Sequence, residues 1–411
     1  MQLFGNSEWL ILMTAIIWAC GDKQMETIKR VRLSEIAELI TKGTTPTTWG
    51  YNFQEDGVNF LKIECFSEDG TYIKEKTAHI SEECHEKLKR SKLRTGDILF
   101  SIAGAIGRVA VVTEEMLPAN TNQALAIIRV TRDDIYLPYI KLILTSQIVK
   151  AQFERKKQGV AQLNISLKDI NELEIPLPEK SKQIECASLL EKISGIITAR
   201  QKQLQKLDEL VKARFVEMFG EPKSNKSNLV KIGEIGSLTS GGTPSRIKPE
   251  YFKGDIRWYS AGELNSLYLP DSVEHISKTA LKESAAKLFN KGTLMIGMYD
   301  TAAFKLGILT EDSSSNQACA NLNPQNDYNV VWLYYLFDIM KPVFLQERQG
   351  VRQKNLSLSK IKEFEVPSAP IGIQNQFAAF VERVNKSKAA AQKALDEAQL
   401  LFDSLMQKYF G

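Results

Sequence analysis

The sequence predicts an α/β (α+β) protein in which one architecture occurs twice, a globular domain followed by a long coiled-coil helix. Its 411 residues exceed the usual size of a single domain, so two hydrophobic cores are expected. Short motifs recur in the same order in both halves of the chain. Two stretches of heptad-spaced apolar residues follow the globular parts, which is the spacing of a coiled coil.

The internal repeat rests on four motifs. They are Val31–Ile36 with Val230–Ile235, Lys42–Pro46 with Gly241–Pro244, Asn122–Ala124 with Asn316–Ala318, and Gln158–Pro176 with Gln349–Pro367. In the last motif the offset is constant at 191 residues, because Gly159 returns as Gly350 and Pro176 as Pro367. The sequence therefore predicts a duplicated domain together with its helix.

Each globular part combines short β-like runs such as Asp97–Ile102 with Gly- and Thr-rich turns and a few helical segments. This pattern favours a compact α/β domain with irregular loops, and proline-containing segments mark the change to a helix. The predicted boundaries are an atypical apolar segment at 1–24, domains at 25–178 and 221–370, and helices at 179–220 and 371–411.

The two predicted helices carry seams at alternating steps of four and three residues. The first seam is Cys186, Leu190, Ile193, Ile197, Arg200, Leu204, Leu207, Val211, Arg214 and Met218. The second is Phe377, Val381, Val384, Lys388, Ala391, Leu395, Ala398, Phe402, Leu405 and Tyr409. One helix cannot bury such a stripe alone, so we expect the two helices to pack together. An antiparallel pair would relate the domains by a pseudo-twofold axis.

Three charged residues interrupt these seams, Arg200 and Arg214 in the first and Lys388 in the second. Polar seam residues can fix the register of a helix pair. Alternatively, these side chains extend their charges into solvent. The sequence leaves both interpretations open.

The first 24 residues differ from the rest of the chain. Trp9–Cys20 is an apolar run of 12 residues, which is too short to span a bilayer and lacks the basic start of a secretory signal. We interpret residues 1–24 as an over-long gene start before Met25 or as a helix docked on the body. A lipoprotein signal ending at Ala19–Gly21 is the less favoured alternative.

Composition excludes few partners but indicates a compartment. The net charge of +4 is compatible with a polyanionic partner and does not require one. The five cysteines are Cys20, Cys65, Cys84, Cys186 and Cys319, an odd, scattered set without a Cys-x-x-Cys pair. They indicate reduced thiols in a cytoplasmic protein.

The motifs of several enzyme classes are missing. The sequence has no Gly-x-x-x-x-Gly-Lys-Ser/Thr phosphate loop, no Asn/Asp-Pro-Pro-Tyr/Phe tetrapeptide for holding a flipped base, and no His-Glu-x-x-His. Cys65, His79, Cys84 and His85 lack the spacing of zinc ligands, and the second half has no equivalent set. We therefore predict no catalytic residues, no metal and no cofactor bound by this chain.

In their order and duplication, Glu35–Ala37 with Gly43–Pro46, Gly96–Leu99, Asn122–Ala124 and Gln158–Pro176 resemble the specificity (S) subunits of type I restriction-modification systems. The resemblance covers residues 25–411, while residues 1–24 depart from it. It implies two DNA target-recognition domains that each read one half of a split, asymmetric double-stranded site, with the helices fixing the gap.

The resemblance also implies partners that carry the chemistry. Two methyltransferase (modification) subunits would use S-adenosylmethionine to methylate adenine. Two restriction/translocase subunits, which depend on ATP and magnesium, can then join. The chain itself would be a non-catalytic specificity subunit in the cytoplasm, without a membrane partner.

Candidate DNA contacts are basic and hydrogen-bonding residues in loops. In the first domain they are Thr44, Thr45, Thr47, Thr48, Lys156, Lys157, Gln158 and Gln162. In the second they are Thr243, Ser245, Arg246, Lys248, Arg348, Gln349, Arg352, Gln353 and Lys354. Trp49, Tyr51 and Tyr251 are candidates for packing on a sugar or base. Alternatively, the Thr-Pro segments are ordinary turns and the basic runs are solvated faces.

Two other functions remain open at this level. The coiled coil suits a protein-interaction scaffold without DNA specificity, and a divergent active site would make the chain a nuclease or methyltransferase by itself. The duplicated domains with basic loop segments favour DNA over the scaffold, and the missing motifs argue against the enzyme.

Overall fold

A computed structural model describes residues 29–155, 165–224, 228–346 and 355–410. The chain divides into two compact units, residues 1–197 with 397–411, and residues 198–396. Each unit holds one globular domain and a part of both long helices. The domain boundaries given by the sequence stay predictions. The predicted N-terminal segment, residues 1–24, lies outside the described residues.

The strands of the first unit form three sheets in the order β2-β8-β5-β6, β4-β3-β7 and β1-β9. Pairing is antiparallel except between β3 and β7, which are parallel. The strands are β1 Arg30–Arg32, β2 Leu39–Lys42, β3 Val58–Leu61, β4 Ala78–Ile80, β5 Ile98–Ser101, β6 Val109–Val111, β7 Ala119–Thr121, β8 Leu125–Arg129 and β9 Glu174–Pro176.

The strands of the second unit repeat this topology, in the order β11-β17-β14-β15, β13-β12-β16 and β10-β18. Here β12 and β16 are the parallel pair. The strands are β10 Leu229–Lys231, β11 Gly236–Ser240, β12 Ile256–Tyr259, β13 Glu274–Ile276, β14 Leu294–Gly297, β15 Leu306–Ile308, β16 Ser314–Ser315, β17 Cys319–Pro324 and β18 Glu365–Pro367. The internal repeat predicted from the motifs is thus present strand for strand in the described residues.

The helices complete both units. They are α1 Leu33–Ile36, α2 Glu82–Lys87, α3 Leu137–Thr145, α4 Gln147–Arg155, α5 Leu167–Asn171, α6 Lys180–Phe219, α7 Ile232–Ile235, α8 Lys278–Glu283, α9 Val330–Gln346, α10 Leu358–Glu363 and α11 Ile371–Phe410. Serine caps the same helices in both units. The Ser81 and Ser277 hydroxyls accept N–H groups at the starts of α2 and α8, and Ser166 and Ser357 do so for α5 and α10.

The central strands of each domain are buried on both faces, which explains their continuous apolar sequences. Successive side chains of a strand point to opposite faces. In β5, Ile98 and Phe100 belong to the core formed with α3 and α4, whereas Leu99 belongs to the core that includes β3 and β7. In β14, Ile296 and Met295 divide between two cores in the same way.

The long helices α6 and α11 have 40 residues each. Every residue of the two predicted seams is buried or half-buried, so the coiled-coil prediction is confirmed. Within the second unit the helices run antiparallel, since Phe377 packs on Phe215 at 5.2 Å while Lys388 reaches Asp208 further back along α6. Within the first unit, residues 186–197 share a core with residues 401–410.

The seam charges behave differently from one another. The Lys388 ammonium donates to Asp208 on the other helix at 2.5 Å, which suits the register interpretation. Arg200 instead donates to Gln203, and Arg214 to Glu217, each within its own helix.

A buried glutamine lies near the start of each long helix, outside the four repeated motifs. Gln374 Nε2 donates to the carbonyl oxygens of Asp327 and Ala369, at 3.2 and 2.6 Å, and its Oε1 accepts the Asn329 N–H at 2.8 Å. Gln183, 191 residues earlier, makes three matching bonds to Asp134, Pro178 and Tyr136. These bonds fix each long helix to the loop before α3 or α9.

Candidate nucleic-acid interface

Two of the repeated motifs meet in each domain. The Thr45 hydroxyl donates to the side-chain oxygen of Gln123, and the Thr243 hydroxyl donates to that of Gln317. The threonines belong to the repeated Thr-Pro turns, and the glutamines belong to the repeated Asn-Gln-Ala turns. The motifs that recur in sequence are therefore partners in space.

A glycine allows these turns to approach each other. A Cβ on Gly43 would lie 2.0 Å from the Thr121 carbonyl oxygen, and a Cβ on Gly241 would lie 2.3 Å from that of Ser315. No side chain fits at such distances, so both positions require glycine. This contact is the physical reason for the Gly in each turn.

The Asn-Gln-Ala turn also connects to the last motif. Ile102 donates its N–H to the Ala124 carbonyl at 2.9 Å and accepts the Ile165 N–H at 3.1 Å. In the second domain, Met298 makes the same two bonds, to Ala318 at 2.9 Å and from Leu356 at 2.8 Å. Ile165 and Leu356 belong to the last motif, so these bonds hold that motif to the Asn-Gln-Ala turn through the residue that follows β5 or β14.

A tyrosine–glutamate pair supplies a second attachment. The Tyr51 hydroxyl donates to Glu83 at 3.0 Å, and the Tyr251 hydroxyl donates to Glu283 at 2.6 Å. The Glu83 carboxylate raises the pKa of Tyr51 through this bond. No sequence motif marks either glutamate, and the two tyrosines were expected to pack on a sugar or base. Tyr251 is only 2% exposed, so its ring belongs to the core instead.

The residues between these two attachments form what we call the anchored loops, 46–50 in the first domain and 244–250 in the second. Their prolines, Pro46 and Pro244, are buried, whereas the residues that follow are exposed. The first loop is a short 3-10 helix, Pro46–Trp49, closed by Gly50 at φ 80°. The loops differ in length and sequence although each is held by a Thr–Gln bond and a Tyr–Glu bond.

Five of the predicted DNA contacts have exposed side chains on these loops. They are Thr47, Thr48, Ser245, Arg246 and Lys248. Thr44, Thr45 and Thr243 are half-buried beneath them. The remaining predicted contacts lie outside the described residues: Lys156, Lys157, Gln158, Gln162, Arg348, Gln349, Arg352, Gln353 and Lys354. All of these stay predictions.

The two cations of the second loop are held by carboxylates. Arg246 donates to Glu274 at 2.8 Å, and its guanidinium lies 4.2 Å from the centre of the Phe252 ring. The bond from Arg246 lowers the pKa of Glu274. Lys248 donates to the Tyr251 hydroxyl at 2.7 Å and to Glu283 at 3.3 Å. Both cations are oriented before any ligand arrives.

The Cys–His set of the first domain serves the fold. Cys65 and Cys84 are buried, and burial raises the pKa of both thiols. His85 Nδ1 lies 2.5 Å from Oδ1 of buried Asn120. Within the described residues, no three His, Cys, Asp or Glu side chains are grouped to hold a metal ion. None of the described helices is long and apolar enough to cross a membrane.

Comparison with known proteins places these features in a family. The model of the "Type I restriction modification DNA specificity domain" matches residues 25–209 and again residues 225–398. The EcoBI specificity subunit of Escherichia coli is 30% identical over 152 residues, 36% of this chain and 31% of that protein. A putative MjaX specificity subunit of Methanocaldococcus jannaschii is 24% identical over 392 residues, 88% of this chain and 89% of that protein. The EcoBI match spans about a third of the relative's own length.

Solved structures have the same fold. A chain from a structure of the type I R-M system matches with a TM-score of 0.61 at 16% identity, covering 94% of this chain and 99% of that one. The S subunit of the type I restriction-modification system from M. genitalium matches with a TM-score of 0.55 at 15% identity, covering 95% and 98%. At these identities the likeness concerns the fold.

Proposed function

The chain belongs to the family of type I restriction-modification DNA specificity domains, and we propose that it selects the DNA site at which partner subunits act. In this proposal each domain binds one half of a split, asymmetric double-stranded site. The chain contributes recognition without catalysis. The scaffold alternative has no specific observation in its favour.

The observation that carries the proposal is the contrast between attachments and loops. Both domains hold an exposed loop by a Thr–Gln bond and a Tyr–Glu bond. The loops themselves share neither length nor sequence beyond the proline. Loops of different sequence that are held by the same two kinds of bond suit a protein that reads two different half-sites. Base edges are distinguished by the side chains that reach them.

The long helices would set the gap between the half-sites. A helix of 40 residues is about 60 Å long, compared with about 34 Å for one turn of DNA. Linking two readers also makes the second engagement intramolecular, which raises the overall affinity.

The chemistry would come from partners. We propose two methyltransferase subunits that use S-adenosylmethionine to methylate adenine, and restriction/translocase subunits that use ATP and magnesium where these are present. We place the complex in the cytoplasm, with the genome. The four described cysteines are free thiols, as a reducing compartment would keep them.

Co-expression with the methyltransferase subunits of the same genome, followed by genome-wide mapping of methylated adenine, tests the proposal. We expect a split motif with a fixed gap. Exchanging residues 229–370 for those of a related chain should change one half of the motif and leave the other half and the gap unaltered. Absence of methylation from a stable complex with intact methyltransferase subunits would contradict the proposal.

A further inference from the structure

Each anchored loop presents one large apolar side chain to solvent. Trp49 is 55% exposed and Ile247 is 90% exposed. Each residue lies four positions after the repeated threonine, Thr45 or Thr243, that fastens its loop. The same distance from the same attachment therefore carries an exposed apolar group in both domains, although the residue type differs.

The fold does not bury these two side chains in a hydrophobic core. Neither belongs to any of the hydrophobic cores, whereas the prolines at the start of each loop are buried. Around Ile247, the Arg246–Glu274 and Lys248–Glu283 pairs hold the neighbouring cations to the body of the domain. Val273, the neighbour of Glu274 in the sequence, is also an exposed apolar residue, at 84%. Beside Trp49, the Lys87 ammonium lies 5.8 Å from the ring centre.

We propose that Trp49 and Ile247 are the apolar specificity contacts of their respective half-sites, each packing against the methyl group of a thymine in the major groove. The proposal rests on the proposed function. The thymine methyl is the apolar group that distinguishes base pairs in that groove. Cations at the edge of each surface, Lys87 in one domain and Arg246 and Lys248 in the other, suit the flanking phosphates.

The difference between the two residues argues for DNA over a protein partner. Two identical partner subunits bound to a repeated fold would favour the same side chain at equivalent positions. An asymmetric DNA site has no such requirement, because its halves differ. Trp49 and Ile247 differ from each other, as an asymmetric DNA site allows, while the threonines that attach their loops, Thr45 and Thr243, are identical.

The test replaces thymine by uracil, which lacks the methyl group, one position at a time in a duplex carrying the mapped site. The full chain is used in complex with its methyltransferase subunits. We expect one uracil substitution in the second domain's half-site to weaken binding about fourfold, as for the loss of one buried methyl group. Ile247→Ala should weaken binding to the thymine duplex and abolish the difference between thymine and uracil. Trp49→Ala should do the same in the other half-site alone.

Leu229→Ala is the matched control, since Leu229 is an aliphatic residue, 42% exposed, on strand β10 away from the loop. It should keep the full uracil sensitivity.

If the wild-type complex methylates a split motif but no uracil position responds, or if Ile247→Ala retains the response, this inference is overturned and the proposed function survives. If both variants weaken methyltransferase binding with the motif unchanged, the surface is a protein contact. If wild type yields no motif, the proposed function itself fails.

Discussion

Tyr251 donates its hydroxyl hydrogen to Glu283 at 2.6 Å, and this bond closes the far end of the second anchored loop. The bond from Tyr251 holds the pKa of Glu283 below its usual range, with Lys248 adding to the effect. The carboxylate therefore stays charged and organises a tyrosine and a lysine together. The Tyr51–Glu83 pair repeats the bond in the first domain without the lysine.

Tyr251→Phe should preserve the fold and weaken DNA binding. The buried ring keeps its packing, while the loop loses a hydrogen bond that orders it for binding. We expect affinity for the second half-site to fall roughly three- to tenfold, the effect of about one hydrogen bond. Binding to duplexes altered in one half-site at a time measures this. An equal loss for both half-sites would contradict a local role for the bond.

Gln374→Ala should destabilise the second unit by roughly 2–4 kcal/mol, because it leaves one N–H and two carbonyl groups without their buried partner. Urea unfolding monitored by tryptophan fluorescence gives the free energy of unfolding. Gln392→Ala is the control in the same helix and the same unit, since this exposed side chain bonds to Asp396 one turn along the helix, and it should cost less than about 0.5 kcal/mol. Equal losses would show that Gln374 has no special role.

The Lys388–Asp208 pair should contribute about 0.2–1 kcal/mol, since both side chains are partly exposed. A double-mutant cycle with Lys388→Met and Asp208→Asn measures the coupling, which should shrink at high salt. Arg200→Met with Asp208→Asn provides the comparison, because Arg200 bonds within its own helix, and it should show no coupling. A null cycle for Lys388 would favour the solvent interpretation of the seam charges.

Glu274→Gln should release Arg246 and change how binding depends on salt. A free guanidinium gains access to phosphate, so we expect tighter DNA binding and a salt slope steeper by about one counterion. Because the folded-state pKa of Glu274 is lowered, its contribution to stability is present above the ordinary glutamate pKa and is lost as pH falls through the lowered value. Unfolding from neutral to acidic pH should show a smaller loss in the variant than in wild type. An unchanged salt slope would place Arg246 away from the DNA.

Much of the fold was predictable because it rests on regular spacing. The seams follow a 3.5-residue period, and the Thr-Pro and Asn-Gln-Ala turns are short contiguous motifs. The Tyr51–Glu83 bond joins residues 32 positions apart, and no local pattern links them. Both residues return 200 positions later, but the helices that carry the glutamates are offset by 196, from Ser81 to Ser277. Glu83 therefore lies in the first turn of α2 and Glu283 at the end of α8, so the repeat does not pair the two glutamates.

The residues that read DNA are harder to predict for a physical reason. Loop side chains are not constrained by packing. A loop sequence therefore indicates that its side chains are near the surface, but not which of them point into solvent and which support the turn. Thr45 and Thr47 look alike in the sequence, yet one supports the turn beneath and the other faces solvent.

The division of both long helices between the units has a consequence for synthesis on the ribosome. The first unit needs residues 397–411, which are made about 200 residues after Ile197. Phe410, for example, packs against Tyr139 with ring centres 5.5 Å apart. Domains usually fold in the order in which they are made. Here the first to emerge must wait for the last, so its unfinished core is exposed while about 200 further residues, roughly half of the chain, are made.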